Sequence, residues 1–300
     1  MGGGLRTYTV AGTEVLDGYG EDERCSDGRG QVLMPWPNRL RDGRYAFAGA
    51  QQQLALTEVD RHNAIHGLVR WRNWEAAVHE PDRVVMELVL HPMPGYPFVL
   101  GLSIEYRLGP SGPRSGLTVA STATNLGGGP CPFGGGAHPY LTVGTDLVDD
   151  ALLQSPGTTW LKVDDQGIPM AAAAVDGTPF DFRDQRRLGD VVLDVAYTDL
   201  SSGQVSLANP DDGRRVTLWM DESYRWLMLF TGDTLGPSGP LSADSSPSGP
   251  LSGKPGPDRR RRGLAVEPMT CAPNAFVSGD GLRLLEPEES WTTTWGLWPS

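Results

Sequence analysis

Cysteine and lysine are both scarce in this chain. Its three cysteines, Cys25, Cys131 and Cys271, are too few and too widely spaced for a disulfide framework or for a zinc pattern. Lysine occurs only at Lys162 and Lys254, and the 25 basic residues are outnumbered by 37 acidic ones. The net charge of −12 argues against a nucleic-acid partner, because phosphate neutralisation needs a basic face. Long hydrophobic runs are missing as well. The longest apolar-rich stretches, such as Val84–Leu90 with its one Glu87, fall far below the roughly 20 residues that span a bilayer. The N-terminus, Met1-Gly-Gly-Gly-Leu-Arg, has no apolar stretch of the kind that forms a secretory signal. These absences predict a soluble, cytoplasmic protein that engages neither nucleic acid nor membrane.

Whole classes of chemistry lack their signatures too. There is no G-x-S-x-G elbow, no Walker A lysine and no dinucleotide fingerprint behind a strand. The glycine runs at 127–129 and 134–136 are permissive for phosphate, but neither opens a helix. His66 and His138 lack the close spacing of a helical metal pair. Neither a metal nor a cofactor is expected.

What is abundant is the vocabulary of β structure. The chain holds 39 Gly and 25 Pro, about a fifth of its 300 residues, and no amphipathic segment of three full helical turns. Leu102, Ile104, Tyr106 and Leu108 alternate with Ser103, Glu105 and Arg107, a period of two. Val84–Leu90, Leu117–Ala123, Val216–Met220, Arg225–Phe230 and Trp291–Trp298 read the same way, bounded by turn residues. Many short strands of this kind predict an all-β sandwich or barrel, and with no shift in composition along the chain, a single domain over 1–300. Residues 235–262 stand apart: 17 of the 28 are Gly, Pro or Ser, and the hexapeptide PSGPLS occurs twice. That composition predicts a low-complexity, disordered insertion. The run Arg259–Arg262 at its end reads either as an anion or partner site or as a solvated charge run.

The candidate chemistry is carried by a few polar residues in apolar or glycine-rich settings. His66, in Asn63-Ala-Ile-His66-Gly67, and His138, in Gly134-Gly-Gly-Ala-His138-Pro139-Tyr140, both lie beside glycines that let a backbone approach a ligand. Each suits a general acid near neutral pH or a donor to a hydroxyl, and each also suits a structural histidine bonded to a carbonyl. Glu267 follows the apolar Gly263-Leu-Ala-Val266. A carboxylate at the end of a buried strand is either a base with a raised pKa or half of an ion pair. Asp194 interrupts the apolar Val191–Tyr197 in the same way. Arg39, in Met34-Pro-Trp-Pro-Asn38-Arg39, has a fork suited to sugar hydroxyls or to a carboxylate.

Taken together, five blocks resemble the aldose 1-epimerase (galactose mutarotase) family. They are Met34-Pro-Trp-Pro-Asn38-Arg39-Leu-Arg-Asp42-Gly43-Arg-Tyr45, Asn63-Ala-Ile-His66-Gly67, Ala137-His138-Pro139-Tyr140, Leu193-Asp194-Val-Ala-Tyr197 and Val266-Glu267-Pro268-Met-Thr-Cys271-Ala-Pro273-Asn274-Ala-Phe276. They stand in the family's order and span nearly the whole chain; the 235–262 insertion is the departure. The resemblance implies a large antiparallel β-supersandwich with a sugar cleft. It implies Glu267 as catalytic base, His138 as catalytic acid, and Arg39, His66 and Asp194 as substrate-binding residues, with Asp199 an alternative to Asp194. Asn38, Trp36 and Tyr140 join the candidate binding set, the two aromatics as cleft walls against sugar C–H surfaces or else as plain core.

The activity so implied is interconversion of the α and β anomers of a free aldohexose such as glucose or galactose, by a monomer or homodimer. Three competitors use similar residues. A hexose-6-phosphate 1-epimerase needs extra cations for the phosphate. A glycoside hydrolase would pair Glu267 with Asp194 across one bond. A non-catalytic sugar-binding domain could dispense with Glu267 or His138.

Overall fold

The computed structural model describes residues 2–109, 116–234 and 260–300. Among these the chain is nearly all β, and the one α-helix is the single turn Ala275–Ser278. Two large antiparallel sheets dominate. The nine-stranded sheet runs, edge to edge, through strands 186–187, 152–154, 204–208, 215–220, 290–299, 117–125, 100–108, 83–90 and 75–80. The eight-stranded sheet follows the order 169–174, 157–163, 194–200, 226–230, 264–269, 136–137 and 32–33, with Tyr140–Leu141 also paired to Leu264–Met269.

The sequence periodicities explain how the two sheets pack. Leu117–Asn125 alternates strictly between buried and half-exposed residues, as a strand with one solvated face does. Leu102, Ile104 and Val119 of the first sheet share one core with Leu227, Leu229 and Val266 of the second. The strands expected from alternation all form, at Arg83–Leu90, Leu100–Leu108, Leu117–Asn125, Arg215–Met220, Trp226–Phe230 and Ser290–Pro299.

Leu264–Met269 behaves differently, for every residue in it is buried. Leu264 and Val266 face the main core, while Ala265 and Met269 belong to smaller clusters on the opposite face. Glu267 falls in the second set by the period of two. A layer of short ribbons and loops covers that face, among them Arg39–Arg41 paired with Asn63–Ile65. The site lies between this layer and the sheet.

Of the expected insertion, residues 235–259 lie outside the described residues. Arg261, at its far end, departs from the solvated charge run, while Arg260 and Arg262 are exposed. Its guanidinium is 12% exposed, with Nε 2.7 Å from Asp149 and Nη1 2.8 Å from Asp233. Nη2 donates to the Gly189 carbonyl at 2.8 Å. This arginine ties down the start of the strand that carries Glu267.

Candidate active site

Glu267 and His138 meet beneath the covering layer. His138 Nε2 lies 3.3 Å from Glu267 Oε1, and the side chains are 5% and 3% exposed. Neighbouring strands set the approach: Gly136 pairs with Met269 and Tyr140 with Ala265, so His138 lies opposite Glu267. The imidazole stacks on Tyr140, with centroids 5.2 Å apart and planes 14° from parallel, and its other side abuts Gly28. A Cβ on Gly28 would stand 2.7 Å from His138 Cδ2, so that position must lack a side chain.

Burial drives both groups toward their neutral forms. It raises the Glu267 pKa well above the ordinary carboxylate range; nearby Asp194 adds to the effect and Arg39 opposes it. It lowers the His138 pKa, and the positive charges of Arg70 and Arg29 push the same way. Glu267 Oε2 and His138 Nδ1 have no hydrogen-bond partner, so the pair has capacity left for a ligand.

His66 completes the buried group. Its ring packs edge-on to that of His138, centroids 5.2 Å apart. Its Nδ1 accepts the Asn38 backbone N–H at 3.2 Å, which places the ring proton on Nε2 and makes the free side of His66 a donor. Burial, followed by the charge of His138, holds its pKa well below the usual range and keeps the ring neutral. The nitrogen and oxygen ligand atoms of His66, His138 and Glu267 lie within 4.8 Å of one another. With Nδ1 accepting and Nε2 protonated, His66 presents a donor to this group.

The backbone around His66 is held in unusual conformations. His66 has φ +62° and Gly67 φ +71°, and a Cβ on Gly67 would fall 1.9 Å from the Met34 carbonyl oxygen. Asn38 also has positive φ, at +55°, and its Oδ1 accepts the Arg39 N–H at 2.9 Å. Non-glycine residues held in this region recur at sites where geometry is fixed for function.

Arg39 is gripped by carboxylates. Its Nε lies 3.0 Å from Glu58 Oε2, and Nη2 lies 3.5 Å from Asp194 Oδ2. Arg61 Nη1 reaches the same Asp194 oxygen at 3.3 Å. Burial works against the charged form of Arg39, but Asp194 and Glu58 overcome it and raise its pKa. Gly167, in the turn between strands 157–163 and 169–174, presses against this guanidinium: a Cβ there would meet its carbons at 3.0 Å.

The strand period decides between Asp194 and Asp199. Asp194 pairs with Phe230, and Met228 with Glu267, which puts Asp194 on the same face as Glu267. Asp199 is offset by five residues and is exposed, in a surface hollow with Thr198, Met220 and Tyr224. Asp194 is the aspartate at the site.

Three of the expected binding residues act differently from the expectation. Trp36 is 3% exposed and packs on Phe276 at 5.5 Å, in the core and not on a cleft wall. Tyr140 is 1% exposed, sandwiched between His138 and the Arg29 guanidinium 4.4 Å away, with its hydroxyl donated to the Asp27 carbonyl at 2.9 Å. Of the two readings open for these aromatics, cleft wall and plain core, the cleft-wall reading is corrected to packing in the core, because neither exposes a ring face. Asn38 is buried; its backbone N–H orients the His66 ring and its Oδ1 holds the Arg39 backbone N–H.

Sequence reasoning missed Glu58, Arg61 and Arg70. Glu58 and Arg61 sit in a charged stretch that reads as solvated surface, and Arg70 lies among Val69, Trp71 and Arg72. The only signal near Arg70 was its place four residues beyond His66.

A family model described as aldose 1-epimerase matches residues 1–298. The chain belongs to the aldose 1-epimerase family. It is 31% identical over 287 residues to the uncharacterized protein YihR of Escherichia coli (strain K12), covering 95% of this chain and 84% of that one. Among solved structures, the GalM/aldose epimerase homologue from C. elegans superposes with a TM-score of 0.82 at 20% identity, covering 100% of this chain and 93% of the other. The galactose 1-epimerase from Lactobacillus acidophilus NCFM gives a TM-score of 0.79 at 21% identity, covering 100% and 89%. These likenesses establish a galactose mutarotase-like fold for this aldose 1-epimerase family member.

Proposed function

We propose that the protein interconverts the α and β anomers of a neutral free aldohexose, with Glu267 and His138 as the acid–base pair and Arg39, His66 and Asp194 orienting the sugar. The observation that carries this reading is the 3.3 Å contact between two buried, oppositely titrating groups, each with one atom left unpartnered. In the forward step Glu267 takes the proton of the C1 hydroxyl. The C1–O1 bond gains double-bond character as the C1–O5 bond breaks, and O5 receives the proton of His138. Rotation about C1–C2 and reversal of the transfers deliver the other anomer, with no net change in protons.

The electrostatics suit this cycle. With the ring closed, the pair must hold its one proton on His138, as a carboxylate beside an imidazolium. With the ring open, the proton is on Glu267 and both groups are neutral. Burial favours the neutral arrangement, which lowers the free energy of the open-chain stage that the reaction must reach. A positioned acid and base each contribute about 10²–10⁴-fold, enough for useful acceleration without a cofactor.

The position of Asp194 weakens the hydrolase alternative, since two arginines hold its carboxylate. The test is polarimetry of fresh α-glucose and α-galactose with and without the protein, with glucose 6-phosphate compared at moderate salt. The reading expects faster mutarotation of a neutral hexose with no new reducing end. A preference of about a hundredfold in kcat/KM for the phosphate, some 2.7 kcal/mol of transition-state discrimination, would move the assignment to a hexose-6-phosphate 1-epimerase.

A further inference from the structure

We propose that Arg70 is the third member of the proton-handling machinery: a positioning residue that ties together the backbones of both histidines and supplies an unmatched charge that acts on His138 as it shares a proton with Glu267. The proposal rests on the acid–base reading of that pair.

The geometry is a single guanidinium bridging two segments. Nη2 donates to the carbonyl of Ile65, the residue before His66, at 3.3 Å. Nη1 donates to Gln31 Oε1 at 3.2 Å, and Gln31 returns a contact from its Nε2 to the Arg70 carbonyl at 3.4 Å. The Gln31 carbonyl in turn accepts the His138 N–H at 3.1 Å. Each histidine backbone is thus one step from the same side chain.

The charge balance singles Arg70 out. Arg29, which also faces His138, is neutralised by Asp17 at 3.1 Å and Asp27 at 3.4 Å. Arg39, which faces Glu267, is matched by Glu58 and Asp194, and Asp194 is shared with Arg61. Tyr140, stacked on His138, and His66, beside it, are both neutral. Among the described residues no carboxylate pairs with Arg70; the Cys25 thiol, whose field it feels, is held protonated by burial. A partly buried guanidinium without a counter-ion is costly, and such charges are kept where they act on another group. Here the groups acted on are His66 and His138, both of which feel its field.

The sign of the effect follows directly. The pair works with one proton. An adjacent positive charge opposes a second proton, which sets the acid limb of the rate profile, and eases loss of the only proton, which sets the alkaline limb. Both limbs are therefore held at lower pH than they would otherwise occupy.

The test compares kcat/KM against pH for mutarotation in Arg70→Gln, Arg70→Lys and Cys25→Asp, with circular dichroism to check folding. Arg70→Gln should move both limbs upward by about half a pH unit or more, as loss of a unit charge at short range requires. Arg70→Lys keeps the charge but cannot span both acceptors, so its limbs should stay in place while kcat falls. Cys25→Asp sets a carboxylate in the field of both Arg29 and Arg70 with the Arg70 guanidinium intact, and should move the limbs in the same direction as Arg70→Gln, which keeps the test open if Arg70→Gln fails to fold. Unmoved limbs in both Arg70→Gln and Cys25→Asp would overturn the proposal. So would a defect confined to glucose 6-phosphate, which would make Arg70 an anion subsite. Failure of the underlying acid–base reading looks different: the wild-type profile would not depend on Glu267 at all.

Discussion

His138 Nε2 and Glu267 Oε1 stand 3.3 Å apart on facing segments, and each group titrates away from its charged form because of where the fold puts it. The pair therefore behaves as one site with two macroscopic proton steps. The rate of mutarotation should be bell-shaped in pH, falling at acid pH when the pair takes a second proton and at alkaline pH when it loses its only one. His138→Asn should abolish the bell; a variant that kept both limbs would show that they belong to other groups.

Glu267 should also weaken the fold as pH rises. Its pKa is raised from an ordinary value of 4.5, so the folded state binds a proton that the unfolded chain releases. That stabilisation is complete below the unfolded pKa and is lost as pH rises toward the folded pKa. Glu267→Gln lacks this loss. The difference in Tm, variant minus wild type, should grow as pH rises above the ordinary carboxylate value of 4.5. A difference independent of pH would mean that Glu267 titrates normally.

The residues around Arg39 should affect binding and turnover together. Arg39→Ala and His66→Ala should raise KM as well as lower kcat, since they touch ground state and transition state alike. Glu58→Gln, which leaves Arg39 in place but loosens its grip, should cost less than Arg39→Ala. If Arg39→Ala changed kcat alone, a ground-state contact to the sugar would be ruled out.

Arg261 separates stability from activity. Its bonds to Asp149, Asp233 and the Gly189 carbonyl lie far along the strand from Glu267. Arg261→Ala should destabilise by roughly 1–3 kcal/mol, the cost of leaving partly buried acceptors unpaired. Thermal melting should show the loss while kcat and KM at 25 °C stay near wild type; a large kcat change would link this anchor to the active site.

The all-β fold was legible because a period of two is visible residue by residue, as in Leu102–Leu108, and because turn residues punctuate it. Glu267 and Asp194 stood out because a carboxylate in an apolar strand is conspicuous. The choice between Asp194 and Asp199 needed register, which no single strand contains. Trp36 and Tyr140 stayed open between cleft wall and core because an aromatic beside a site motif has the same sequence signature in either place; both are buried. Glu58, Arg61 and Arg70 were invisible for the complementary reason: charged loop residues look solvated until the fold brings a partner to them.

The most direct measurement is kcat of Glu267→Gln for mutarotation of glucose or galactose, with sugar binding followed in parallel. The substitution keeps the shape of the side chain and removes its basic oxygen. Binding should persist while kcat falls by about 10²-fold or more, the worth of a positioned base. Retention of more than about a tenth of the wild-type kcat would contradict the assignment of Glu267 as that base.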